Sequence, residues 1–136
     1  MSSVTTLPVA ISALYASLLA LLVVILGMVV IRLRQSLRVG VGDGGNHDLA
    51  RAIRVHGNAV ENIPLFLLLL ALYEINRGNI TLLHVFGAAF FVSRVLHAWG
   101  LLVSGGASPG RLAGTIGTYA CLVGLAIVNL VKLLNW

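Results

Sequence analysis

Four long apolar runs separated by short polar stretches dominate the hydrophobic pattern of the chain. A helix takes about 20 apolar residues to cross a hydrocarbon core about 30 Å thick, and each run reaches that length. Backbone groups inside a bilayer must be paired within the segment, so each run is predicted to be an α-helix. We therefore expect an all-α membrane protein, a four-transmembrane-helix bundle forming one domain over residues 1–136. The predicted spans are residues 8–31, 49–75, 80–103 and 111–134.

Composition and charge favour a membrane protein and argue against a nucleic-acid partner. The 136 residues are 59% hydrophobic and 10% charged, whereas soluble domains carry about 25% charged residues. The net charge is +5, but the basic residues are spread over loops and span ends. There they suit topology signals, membrane lipid head groups or a small anionic ligand. Cys121 is the only cysteine, which excludes an intrachain disulfide.

The most polar part of any span is residues 51–64, RAIRVHGNAVENIP, at the start of the second span. Arg51, Arg54, Asn58 and Glu61 follow one another at spacings of three or four residues, which puts them on one helix face. Ionisable groups within a span are expensive and usually functional. We expect this face to point at protein, bound ligand or water rather than at lipid.

The distribution of basic residues predicts the orientation of the bundle. The connection between spans one and two, with the adjoining helix start, carries Arg32, Arg34, Arg38, Arg51 and Arg54, and the connection between spans three and four adds Arg111. The opposite side has Arg77 and Lys132. The positive-inside rule puts these two connections in the cytoplasm. The start of span two, the end of span three and the start of span four then meet near the cytoplasmic face. The polar residues expected to gather there are Arg51, Arg54, His56, Asn58, Glu61, Arg94, His97 and Arg111.

Several arginines beside one glutamate suit a small anionic, peptide-like ligand. Guanidinium groups bind carboxylates through paired hydrogen bonds, and a glutamate can hold an amino group or orient an arginine. The alternative is a network of interhelical salt bridges, from Glu61 to Arg54 or Arg94, that only holds the bundle together. His56 and His97 lie on different spans, and we predict no metal site.

Residues 51–64 resemble the signature of the MAPEG family, the membrane-associated proteins in eicosanoid and glutathione metabolism. The family pattern is approximately R-x-x-R-x-H-x-N-x-x-E-x-x-P at the start of the second of four spans. The resemblance extends to IRLR at 31–34, to the R-x-x-H of Arg94 and His97, and to PGR at 109–111. VGDGGN followed by RAIRVHGN resembles a bacterial branch. The residues that match the signature are Arg51, Arg54, His56, Asn58, Glu61 and Pro64.

The resemblance implies a homotrimer in a bacterial inner membrane, with glutathione bound between subunits near the cytoplasmic face. Arg111 matches the family arginine that stabilises the glutathione thiolate, which makes it the expected catalytic residue. A nearby cation lowers a thiol pKa from about 8.5, so more thiolate is present at neutral pH. Arg51, His56 and His97 would support the ligand-binding residues. Those residues would be Arg54, Asn58, Glu61 and Arg94, with Arg32 contributed by the neighbouring subunit.

Three functions remain open at this point. The first is a glutathione-dependent membrane transferase or peroxidase acting on small hydrophobic electrophiles from the lipid phase. The second is a catalytically silent MAPEG-fold binding or structural protein. It is favoured by Trp99, Leu101, Leu112 and Thr115, which stand where family enzymes carry tyrosine or serine. The third is a small four-span exporter, but such exporters rely on an acidic residue in the first span, and none is present here.

Overall fold

The computed structural model describes residues 9–104 and 108–134, and these residues form four α-helices with no strand among them. Position 8, where the first span is expected to begin, lies outside the described residues. Each helix is long and apolar enough to cross a membrane. The prediction of an all-α membrane protein with four spanning helices is therefore confirmed. The helices are α1 (Ala10–Leu37), α2 (His47–Ile75), α3 (Ile80–Val103) and α4 (Pro109–Leu134).

The ends of α1 and α2 are fixed by local hydrogen bonds. α1 continues past Ile31 to Leu37 and stops where Arg38 adopts a left-handed conformation, with φ of 56°. α2 begins at an Asn46 cap, whose side-chain oxygen accepts hydrogen bonds from the backbone N–H groups of Asp48 and Leu49. The helix then runs without interruption through Pro64 to Ile75.

α3 and α4 form a tight antiparallel hairpin because small residues on α4 face α3. A Cβ added at Gly114 would lie 2.5 Å from the backbone nitrogen of His97 and 2.6 Å from the carbonyl oxygen of Ser93. A Cβ at Gly117 would collide with the Ser93 hydroxyl. Backbones approach this closely only where no side chain intervenes. Gly114 and Gly117 of α4 therefore pack against α3 within the subunit.

Aromatic and aliphatic side chains fill the centre of the bundle. The rings of Phe66 on α2 and Phe90 on α3 stack with their centroids 3.8 Å apart. Leu19 brings α1 into this core and Leu125 brings in α4, and both are fully buried. The core lies midway along the helices and leaves the polar residues to the two ends of the bundle.

The end of the bundle that carries the α2–α3 connection is held by Glu74. Its carboxylate accepts hydrogen bonds from the backbone nitrogens of Ile11 and Ser12 at 2.9 and 2.7 Å, and from the Ser12 hydroxyl at 2.6 Å. A side chain on α2 thus caps the start of α1, where free N–H groups and the helix dipole favour an anion.

We expect Glu74→Ala to lower the free energy of unfolding by about 2–3 kcal/mol, because it removes a charged acceptor and strands a helix N-terminus. Thermal unfolding in detergent measures the change. Glu61→Ala removes an exposed carboxylate from the same helix and serves as the matched control, with an expected loss below about 1 kcal/mol. Equal losses in the two variants would show that the Glu74 cap contributes nothing specific.

Candidate functional site

Arg94 lies at the centre of the candidate site and joins three helices. The side chain projects from α3 into the bundle and is only 1% exposed. One terminal nitrogen donates to the Asn58 side-chain oxygen on α2 at 2.7 Å, and the other donates to the Thr118 hydroxyl on α4 at 3.3 Å. Its Nε is buried without a hydrogen-bond partner. Arg94 therefore carries a buried charge and still has an unused donor.

No carboxylate compensates Arg94 among the described residues, which departs from the salt-bridge alternative raised by the sequence. Glu61 pairs instead with Arg54 at 3.4 Å, two turns away on the same helix. Both side chains are largely exposed, at 57% for Glu61 and 66% for Arg54. This pair joins no two helices of the bundle, and exposed pairs contribute little stability. The polar contacts of Arg94 between helices are hydrogen bonds to neutral groups.

A second polar pair links α3 and α4 one turn from Arg94. The Nδ1 of His97 lies 3.1 Å from the hydroxyl of Thr115, which itself donates to the carbonyl oxygen of Arg111 at 2.8 Å. His97 is buried and interacts electrostatically with Arg94, Arg111 and Arg54. Arginines of α2, α3 and α4 thus lie close enough to His97 to interact with it electrostatically.

A cavity of about 600 Å³ opens beside this pair at the start of α4. Arg111 is exposed, and among the described residues no side chain or carboxylate engages its guanidinium. Trp99 is 61% exposed and lies next to the backbone of Gly110, close to the cavity. The cavity thus contains one cation without a carboxylate partner among the described residues. Beside it are two hydroxyls, which donate to the carbonyl oxygens of Gly100 and Arg111, and apolar side chains. It is lined by Ser108, Pro109, Arg111, Leu112 and Thr115.

The remaining predicted site residues are spread over the same end of the bundle. Arg51 is ion-paired with Asp48 within α2 and, with Arg54, lines a cavity of about 450 Å³. His56 packs against Gly27 of α1, because a Cβ at Gly27 would lie 3.4 Å from the imidazole. Arg32 is exposed at the end of α1, and within residues 9–104 and 108–134 it has no hydrogen-bond or ion-pair partner.

Within one subunit, therefore, the structure brings together Asn58 with Arg94, Arg54 with Glu61, and His97 with Thr115, whose hydroxyl donates to the backbone of Arg111. Arg32 is not joined to any of them. In the part of the chain that the structure describes, no three His, Cys, Asp or Glu side chains lie close enough to hold a metal ion.

Sequence reasoning did not assign a role to Thr118. A signal for it exists in the spacing. Arg94 and His97 are three residues apart on α3, and Thr118 and Thr115 are three residues apart on the antiparallel α4. Two polar side chains at the same interval on neighbouring antiparallel helices can pair twice, and here they do.

Comparison with known proteins decides the family. The model of the MAPEG family matches residues 12–131, which is nearly the whole chain. This chain belongs to the MAPEG family. Its similarity to the inner membrane protein YecN of Escherichia coli K12 is 43% identity over 90 residues, covering 66% of this chain and 69% of YecN. An uncharacterised Synechocystis protein, sll1147, is 39% identical over 56 residues, covering 41% of this chain and 40% of that protein.

The names of these relatives bear on the cellular location of the protein but say nothing about any reaction it catalyses or any ligand it binds. YecN is described as an inner membrane protein, which agrees with four helices of membrane-spanning length in this MAPEG protein. Neither relative carries an activity in its name.

Proposed function

We propose that this MAPEG protein is a glutathione-dependent membrane transferase or peroxidase that acts on small hydrophobic electrophiles. The observation that carries the proposal is the unpaired Arg111 in a cavity beside two hydroxyls. A cation with no carboxylate partner attracts an anion, and a thiolate is the anion that this chemistry needs. Arg111 lowers the pKa of the bound thiol and stabilises the sulfur anion that attacks the electrophile.

The other polar residues supply groups for the rest of glutathione. The exposed Arg54 and Glu61 present a cation and an anion side by side, which suits a zwitterionic amino acid end. Arg94 holds Asn58 by its side-chain oxygen, so the Asn58 amide nitrogen stays directed away from that contact. Arg51, His56 and His97 support these residues from neighbouring positions.

A homotrimer is part of the proposal. Arg32 lies on α1 without a partner among the described residues, and it could complete the ligand site of the next subunit. A site between subunits also explains why Arg54 and Glu61 remain exposed within one subunit. The α1–α2 and α3–α4 connections would face the cytoplasm, where glutathione is available.

The hydrophobic substrate would reach the cavity from the lipid. Leu112 lines the cavity and is exposed, and Trp99 presents an apolar ring close by. Apolar molecules partition into the bilayer, so a cavity at the surface of membrane-spanning helices receives them at high local concentration. The site would thus join a water-soluble anionic thiol with a lipid-soluble electrophile.

Glutathione binding to the purified protein tests this proposal. Isothermal titration measures the affinity, and ultraviolet absorbance of the thiolate measures ionisation of the bound thiol. We expect saturable binding together with a thiolate signal at neutral pH. If glutathione does not bind, the polar residues are architectural and the proposal is wrong.

A catalytically silent binding protein is the second candidate. Leu101 and Leu112 lack the hydroxyls that family enzymes carry at these positions, which favours this candidate. Saturable glutathione binding without a thiolate signal would support it over the enzyme. A screen of halogenated nitroaromatics and lipid hydroperoxides then separates the two, since only the enzyme consumes glutathione.

Glu61→Gln should weaken glutathione binding by about tenfold while changing the free energy of unfolding by less than about 1 kcal/mol, because the Arg54 pair is exposed. Titration calorimetry and thermal unfolding measure the two effects. Asp48→Asn neutralises another exposed carboxylate paired with an arginine of α2, so it serves as the matched control with unchanged affinity. Unchanged affinity in Glu61→Gln would remove Glu61 from the ligand site.

A further inference from the structure

A continuous stripe of exposed residues along α1 changes from apolar to basic near the end of the helix. A phospholipid changes in the same way, from an apolar acyl chain to a charged head group. The first five members are three or four residues apart and share one helix face, and Arg38 follows directly after the end of the helix. All six are exposed. The first four are apolar and the last two are polar or basic: Leu21, Val24, Met28, Ile31, Gln35 and Arg38.

The dimensions of this stripe match one leaflet. Leu21 to Ile31 spans about 15 Å at 1.5 Å per residue, which is half of a hydrocarbon core of about 30 Å. The helix continues for about 9 Å beyond Ile31 to Leu37, which reaches the head-group region. Gln35 and Arg38 therefore lie at the level of lipid phosphates when the apolar part lies in the hydrocarbon.

A cavity of about 400 Å³ lies at the basic end of the stripe. Two hydrogen bonds fix one wall of the cavity. A terminal nitrogen of the Arg34 side chain donates to the carbonyl oxygen of Gly40 at 3.1 Å, and the backbone nitrogen of Val39 donates to the carbonyl oxygen of Arg34 at 3.0 Å. The left-handed conformation of Arg38 turns the chain over the helix end. The cavity is lined by Ile31, Arg34, Gln35, Arg38, Val39 and Gly40.

The charge at this cavity selects an anion. In residues 9–104 and 108–134 no carboxylate lies within salt-bridge distance of Arg34 or Arg38. The cavity lining includes no acidic residue, so it has no group that would bind the amine of a zwitterionic head group. Two arginines exceed what the negative end of the α1 dipole, about half an elementary charge, would neutralise. The site therefore retains positive charge for a ligand.

We propose that this cavity binds the phosphate of an anionic phospholipid, with an acyl chain lying along Leu21 to Ile31. Arg38 and the free nitrogens of Arg34 hold the phosphodiester, and Gln35 donates from its side-chain amide. The site is separate from the proposed glutathione cavity at the start of α4. In the proposed homotrimer it requires this stripe to face lipid while Arg32, which does not line the cavity, faces the neighbouring subunit. The site needs no assumption about which leaflet it faces.

Thermal unfolding of the full chain in lipid nanodiscs tests this site. Phosphatidylglycerol is titrated into phosphatidylcholine discs, and a bound lipid raises the unfolding midpoint in a saturable way. Arg38→Gln should need about fivefold more phosphatidylglycerol for half of the shift, since one arginine near a membrane surface contributes about that factor. Gln35→Glu places an anion in the cavity, so it should need at least as large an increase in phosphatidylglycerol for half of the shift. The unfolding midpoint in pure phosphatidylcholine should be unchanged in both variants.

Arg77→Gln is the matched control. Arg77 also follows the end of a helix in a left-handed conformation, with φ of 55° against 56° for Arg38, but lies at the opposite end of the bundle. The Arg77→Gln variant should need the same amount of phosphatidylglycerol for half of the shift as the wild-type protein. Equal behaviour of the Arg38 and Arg77 variants would overturn the proposal. A full shift produced by inorganic phosphate alone in phosphatidylcholine discs would also overturn it, because the site would then bind a free anion.

Discussion

Arg111→Ala should reduce glutathione turnover about 100-fold while changing glutathione affinity by no more than about threefold. Removing one group that stabilises a developing anion costs enzymes about 10²–10³ in kcat. The affinity should persist because the proposal assigns the rest of glutathione to other residues. The variant should also fold normally, since the Arg111 side chain is exposed and makes no ion pair within the described residues. Steady-state kinetics and thiolate absorbance at matched saturation measure the effect.

Two further variants make the Arg111 result specific. Arg111→Lys keeps a cation and should retain part of the thiolate signal, although a point charge lacks the fork of guanidinium donors. Arg77→Ala removes an exposed arginine from the other end of the bundle and should leave turnover and affinity unchanged. If Arg111→Ala loses affinity but keeps turnover per bound glutathione, Arg111 binds a carboxylate of the ligand rather than its sulfur.

The helices could be predicted from the sequence because hydrophobic pattern determines membrane spans directly. Long apolar runs have no alternative to the helix in a bilayer, and Asn46 carries a local capping signal. The close approach of α3 and α4 could also be expected from the small residues of α4, although the pattern did not say which helix they would meet. The structure assigns them to α3 through Gly114 and Gly117.

Side-chain contacts between helices were harder to predict. The spacing of residues shows which side chains share a helix face, but it does not show which side chain of another helix each of them contacts. Glu61 shares its face with Arg54, and the two form an exposed pair on α2 instead of a bridge between helices. Thr118 becomes a partner of Arg94 only once the register of α3 against α4 is known. Glu74 accepts hydrogen bonds from Ile11 and Ser12, which are 63 and 62 positions away in the chain. The sequence contains no periodic signal for contacts at that separation.

The buried charge of Arg94 leads to the second large prediction. A guanidinium at 1% exposure with no carboxylate among the described residues carries a desolvation cost that neutral partners only partly offset. Such a charge is retained either for bundle architecture or for a ligand's carboxylate. The orphaned Nε is a donor that a ligand or a bound water could still use.

Arg94→Met separates these two roles, because methionine replaces much of the volume and removes the charge. If Arg94 serves the ligand, the unliganded variant should be as stable as the wild-type protein or more stable, as when apolar side chains replace other buried charges. Its glutathione affinity should fall by about 10- to 100-fold, the value of a hydrogen bond to a charged group. Thermal unfolding without glutathione and titration calorimetry with it measure the two effects. A destabilised variant with unchanged affinity would assign Arg94 to architecture, since it would be needed to hold Asn58 and Thr118 but not the ligand.

Thr118→Val provides the comparison: it removes one acceptor of Arg94 without removing the charge, and it should lower stability by about 1–3 kcal/mol under either role.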